Sequence, residues 1–355
     1  MGTASPTTSL VFAALVCGTL AAATLDLSGG LRPAAPRLLW ISLVGFVAYM
    51  TRRTGRTSRW RALLFVAMAW GFVWQFKSRS LGLGGRLFTT SEAVEVPYCH
   101  IAIASYILNH AYNHYLALRS GHWFRWGPLS LGFLWLVVTL VLGQAWCSWA
   151  CFYGGIDEGF SRILRKPLLR LEKLPGRLRD LPAAVLLVSA LFSLTMVLPA
   201  FCLWACPLKL TTAFLDPNDL VRKVQLAVFL ALAAAAMVIG PLLTKKRWFC
   251  GLICPFGAWQ ALFGNLNPFR VAIRPEACSQ CQLCLKVCPT FAIEPEGLKA
   301  HVISAYCNRC GECVDACPTG AIGYALFHDP TRDARPLFLF CALVVGGAVG
   351  ALFLP

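Results

Sequence analysis

The chain has 355 residues, 57% of them hydrophobic and only 14% charged, and carries a formal net charge of +16. So large an apolar excess is beyond what a soluble core needs and points to an all-α polytopic membrane bundle, whose spans satisfy their own backbone groups. The positive charge does not read as a nucleic-acid footprint, because the basic residues cluster beside apolar stretches.

Seven stretches approach the roughly 20 residues that cross a hydrocarbon core: 8–25, 37–51, 62–76, 128–146, 181–201, 222–244 and 336–354, the second and third being short. No positive residue precedes 8–25, and Cys17 follows Val16 rather than a small residue, so an uncleaved span is expected rather than a leader peptide. Basic residues gather at 52–61 (RRTGRTSRWR), at seven positions from Arg162 to Arg179, and at KKR 245–247. This positive-inside pattern predicts cytoplasmic loops facing anionic headgroups. With 158–180 inside, 201–219 falls outside and 245–333 is cytoplasmic. Residues 1–76 then form three spans, leaving 77–97 outside. Stretch 98–118, YCHIAIASYILNHAYNHYLAL, must not cross if this parity is to hold, and is predicted to be an outer amphipathic or re-entrant helix. The expected division is an N-terminal membrane extension with an interfacial helix (1–127), a core bundle (128–270), a soluble module (271–328) and a last span (329–355).

Of seventeen cysteines, eight lie in that module. They read Cys278-x2-Cys281-x2-Cys284-x3-Cys288-Pro and, 29 residues later, Cys307-x2-Cys310-x2-Cys313-x3-Cys317-Pro. In this spacing three cysteines hold one cubane and the fourth reaches the other cluster. Cys278, Cys281, Cys284 and Cys317 are therefore expected to hold one [4Fe-4S] cluster, and Cys307, Cys310, Cys313 and Cys288 the second. The alternative is zinc, which prefers two C-x2-4-C pairs per ion and fits this register poorly. The stretches TFAIE and TGAIG, one after each run, are expected to be short strands of an α+β dicluster ferredoxin module. Such a module passes single electrons, and its attachment to a membrane bundle points to a quinone as the membrane-soluble carrier.

Three CxxxC pairs follow apolar stretches: Cys147/Cys151, Cys202/Cys206 and Cys250/Cys254. Positions i and i+4 share a helix face. The first and third pairs are predicted on the cytoplasmic side, where four thiolates could hold a third iron–sulfur cluster; equally, buried free cysteines behave as small hydrophobes. Cys202/Cys206, on the opposite side, fits a disulfide, a metal-handling site or an electron exit.

WCSWAC (146–151), FCGLICPFG (249–257) and the dicluster module together resemble the NapH/MauN-type membrane ferredoxins, the C-terminal part of NosR, and CcoG over roughly 128–325. The resemblance implies four core spans, a cytoplasmic ferredoxin in a bacterial inner membrane, and quinol oxidation coupled to a periplasmic reductase. By position it carries the family's paired membrane cysteines onto Cys147, Cys151, Cys250 and Cys254. Phe152 stands where the family has Pro, and the Cys202/Cys206 pair and the terminal extensions go beyond it.

His110 and His114 lie i,i+4 on 98–118, near Cys99 and His100, with His122 beyond. Haem, metal, a quinone-site proton acceptor and an interfacial helix all fit. Trp123, Trp126 and Trp248 suit an aromatic belt, and Asp216, Asn218 and Asp219 an outer turn. The leading expectation is a membrane electron-transfer subunit between the quinone pool and a partner oxidoreductase. The alternative is a maturation factor that reduces a metal for a partner metalloenzyme.

Overall fold

The computed structural model describes residues 4–352 apart from 26–30, most of 84–125, 197–199, 208, 213–217, 328 and 330. The expectations for His100, His110, His114, His122, Cys99, Trp123 and Asp216 lie outside the described residues.

The described parts of the apolar stretches are largely helical. Helix α1 (Pro6–Thr24) starts at Pro6 behind Ser5, whose hydroxyl accepts a hydrogen bond from Thr8 N at 3.2 Å. Helices α2 (Leu31–Thr54), α3 (Thr57–Leu83), α4 (Trp126–Val141), α5 (Phe152–Ile163), α6 (Leu181–Met196) and α7 (Leu220–Leu232) follow. Helix α7 runs on through a wider-wound turn at Ala233–Ile239 to Thr244. Asp219, read from the sequence as part of a turn, caps α7 by accepting from Arg222 N at 2.8 Å. Helix α8 (Pro255–Leu262) leads to the module, whose cysteine runs carry the short helices α9 (Leu283–Val287) and α10 (Glu312–Ala316). The last helix is α11 (Arg335–Leu352). Among the described residues three helices are long and apolar enough to cross a membrane: Pro6–Thr24, Ala34–Thr54 and Leu220–Thr244; Leu181–Met196 and Arg335–Ala351 are shorter apolar helices.

Helix α11 packs on α1 and α2 through small residues. A Cβ on Gly350 would lie 2.2 Å from the Trp40 ring of α2, and one on Gly347 2.8 Å from the Leu20 side chain of α1. Close approach of this kind is what glycine permits between membrane helices. It lets Trp40 Nε1 donate to Gly347 O at 2.7 Å.

The module closes on a two-stranded antiparallel sheet, β1 (Phe269–Ile273) with β2 (Ile322–Leu326), Phe269 opposite Leu326 and Ile273 opposite Ile322. TGAIG does lead into β2. TFAIE forms no strand: Thr290 and Phe291 turn, and Pro295, which has no N–H to donate, opens a short helical turn at Pro295–Lys299. One core runs unbroken from the helices into the module, where Tyr324 stacks on Phe338 of α11 with ring centroids 4.4 Å apart.

Candidate electron-transfer site

The two cysteine runs curl in the same way. Residues flanking each central cysteine are left-handed: Gln280 (φ 52°) and Gln282 (φ 61°) around Cys281, and Arg309 (φ 54°) and Gly311 (φ 88°) around Cys310. Helix α9 or α10 then leads to the fourth cysteine of its run. Cys278, Cys281 and Cys284 line one cavity together with Cys317 from the other run. Cys288 crosses the opposite way, into Coulombic reach of Cys307, Cys310 and Cys313.

The two sets differ in surroundings. Cys281 is exposed, Cys278 and Cys317 are half-buried and Cys284 is buried, whereas Cys288, Cys310 and Cys313 are buried and Cys307 is half-buried. Burial pushes the Cys307 thiol up to about 11 and raises Cys310 and Cys313 further. Burial also raises Cys317, but hydrogen bonds from Thr319 and from the backbone of Ala321 and Ile322 outweigh it and bring the thiol below its ordinary value. Buried thiols of this kind ionise when a metal replaces the proton. Four thiols at each of two centres suit the corners of a [4Fe-4S] cube. Among the described residues no three Cys, His, Asp or Glu side chains converge as a single metal ion would need.

The structure also brings together two of the CxxxC pairs. Cys151 is within Coulombic reach of Cys147 and Cys254, and Cys250 of Cys151 and Cys254. The pairs do not share a helix face, as the i,i+4 spacing suggested. Each first cysteine sits in a single turn (Trp146–Trp149 or Phe249–Ile253), and each second cysteine breaks the helix and precedes a new one. The break puts Cys151 and Cys254 at helix N-termini, where the backbone favours negative charge. Phe152 occupies the first helical position that Pro255 holds in the other pair. Cys202 and Cys206 are buried, at and just after the turn Ala200–Trp204.

Between the four paired cysteines and the inner run lies a charge network that sequence reasoning missed. Arg61, Lys246 and Arg247, read as headgroup-facing loop cations, are buried. Arg61 Nε donates to Cys310 O (2.9 Å), and its Nη1 to Ser148 O (2.8 Å) and Glu158 Oε2 (2.7 Å). Arg247 Nη2 donates to Cys147 O (2.7 Å) and to Cys250 Sγ (3.2 Å), and its backbone N to Pro289 O (2.7 Å). Lys246 Nζ donates to Cys288 O and Lys286 O, each at 2.8 Å. Burial would raise the Glu158 carboxyl, but Arg61, Arg162 and Arg247 hold it down at about 2; burial lifts its neighbour Asp157 to about 7 despite Arg247. Asp157 accepts from Cys250 N at 3.0 Å. The one sequence signal was this acidic pair inside the glycine-rich, apolar GGIDEGF, which calls for internal partners.

These features define a largely helical protein with apolar helices of membrane-spanning length and a module whose cysteines are arranged to hold iron–sulfur clusters. The family model of the 4Fe-4S dicluster domain matches residues 270–318, and that of a 4Fe-4S binding domain matches three times, at 124–170, 181–224 and 226–273. Each of the three repeats contains one CxxxC pair. The putative electron transport protein YccM of Escherichia coli is 27% identical over 44% of this chain and 44% of its own length. The ferredoxin-type protein NapH of the same organism is 28% identical over 53% of the chain and 61% of its length, and the methylamine utilization ferredoxin-type protein MauN of Methylorubrum extorquens 29% over 43% and 50%. The chain thus spans about half the length of these relatives. It is similar to the NapH/MauN-type ferredoxin proteins and, over a shorter share of the relative's length, to the regulatory protein NosR. No solved structure matches it.

Proposed function

We propose that the protein relays single electrons between the quinone pool and a partner oxidoreductase, as a quinol dehydrogenase component of the bacterial inner membrane. Cys278, Cys281, Cys284 and Cys317 hold an outer [4Fe-4S] cluster, Cys307, Cys310, Cys313 and Cys288 an inner one, and Cys147, Cys151, Cys250 and Cys254 a third iron–sulfur centre. About seven helices cross the bilayer, and the module of 271–328 faces the cytoplasm. The bound clusters supply reversible one-electron chemistry. The protein's own part is to sheath the inner thiols from water, to set Arg61 and Arg247 beside them as fixed positive charge, and to leave the outer loop open to an electron partner.

The observation that carries this reading is the shared reach of Arg247, which hydrogen-bonds Cys250 Sγ at 3.2 Å and is Coulombically coupled to Cys310. It ties the paired cysteines to the inner run. The test is anaerobic purification with iron and sulfide counts, followed by EPR after addition of a quinol analogue. About eight irons indicates two clusters and about twelve indicates three. Iron-free or zinc-loaded protein sinks the reading, and clusters that quinol never reduces sink its quinone arm.

A further inference from the structure

A second polar site lies away from the cysteines, at the seam between the helices and the module. A cavity of about 540 Å³ is lined by Arg52, Arg274 and Arg335, with Thr319, Thr331 and Tyr324 among its other walls and Asp333 as its carboxylate. Two of the guanidinium groups come from helix ends: Arg52 from the last turn of α2 and Arg335 from the first residue of α11. Those ends are where apolar helix gives way to polar chain, the level of lipid headgroups.

The three cations are only partly satisfied by the protein. Arg335 Nη2 donates to Gly55 O and to Thr57 Oγ1, the latter at 2.7 Å, and Arg274 Nη2 to Gly320 O at 2.5 Å. Asp333 is committed in part to capping, accepting from Arg335 N at 3.0 Å. Arg52 Nε is buried and has no hydrogen-bond partner among the described residues. A buried donor without an acceptor is costly, and planar guanidinium forks match phosphate oxygens in number and direction. One carboxylate against three guanidinium groups leaves the cavity with net positive charge.

We infer that this cavity binds a phosphate group, carried on an anionic lipid headgroup or free in solution. The bound phosphate accepts from Arg52 and is held by Arg274 and Arg335, joining α2 and α11 to the end of β1 in the module. Phosphate binding there does not depend on electron transfer through the cysteines.

The test uses the full chain in detergent, with phosphatidylglycerol added in one arm and followed by native mass spectrometry, and inorganic phosphate in the other, followed by calorimetry. Wild type is expected to retain the ligand, and Arg52→Gln/Arg274→Gln to lose affinity by on the order of tenfold or more. Arg53→Gln, at an exposed residue beside the cavity, is expected to leave it unchanged. Retention of phosphatidylglycerol alone assigns a lipid source and retention of inorganic phosphate a soluble one; either supports the inference when the double variant loses it. Arg274→Glu alone, at the most exposed of the three, serves if the double variant fails to fold. Binding of neither ligand, or equal binding by wild type and variants, overturns the proposal.

Discussion

The outer and inner cysteine loops repeat one spacing and one backbone curl, yet they inhabit different media. Around Cys281 the chain meets solvent; around Cys310 it meets Arg61, Trp149 and the first turns of α3. Cluster potential depends on net charge, hydrogen bonds to sulfur and exposure. Two loops of the same chemistry can therefore stand at different potentials because their neighbours differ. Ligand spacing selects the cofactor, while packing against the bundle decides which site serves the interior.

The contrast between the loops breaks hardest at Arg247. Replacing it with Met removes the cation facing buried Asp157, leaves Cys147 O without its donor and takes one of three cations from Glu158, which keeps Arg61 and Arg162; the expected loss is about 3 kcal/mol, read as a large drop in thermal midpoint of the solubilised protein. An unchanged midpoint would mean that the network does not hold the inner side together. Next in size is Gly311→Gln. The backbone there stands at φ 88°, and an added Cβ would lie 2.8 Å from Tyr324 Oη. A side chain must push the inner loop from its seat, at a cost of about 2 kcal/mol. Iron retention after dilution is the readout.

Asp315→Asn is a milder probe of the same seat. Asp315 accepts from Thr57 N (3.1 Å) and Ser58 N (2.7 Å), and weakening these charged hydrogen bonds should cost about 1–2 kcal/mol. Faster amide exchange at 57 and 58 would show it; unaltered exchange would not fit. The smallest effect belongs to the outer loop. Gln282→Gly, at the position matching Gly311, relieves a left-handed glutamine and should shift stability by no more than about 1 kcal/mol, with full iron content. Should it disrupt the protein as Gly311→Gln does, the two loops would not differ in their seating.

Much of this was legible along the chain. The helical character of the apolar stretches followed from hydropathy, and the spacing of the cysteine runs predicted the neighbourhood of Cys317 with Cys278, Cys281 and Cys284 that the fold shows. The pairing of Cys147/Cys151 with Cys250/Cys254 was an open reading, and the fold joins them, though by a break at Cys151 and Cys254 rather than along one helix face. A spacing of four residues specifies a shared face only if the helix continues through it.

What the residues alone determined was chemistry that depends on near neighbours in sequence: thiols at loop spacing and apolar runs of membrane length. Tertiary structure alone decided burial. RRTGRTSRWR and KKR look the same whether their charges meet water or Glu158, because desolvation and pairing are set by distant segments, as with Arg61 and Glu158, 97 residues apart. The same long-range packing made one of two equal loops the inner one.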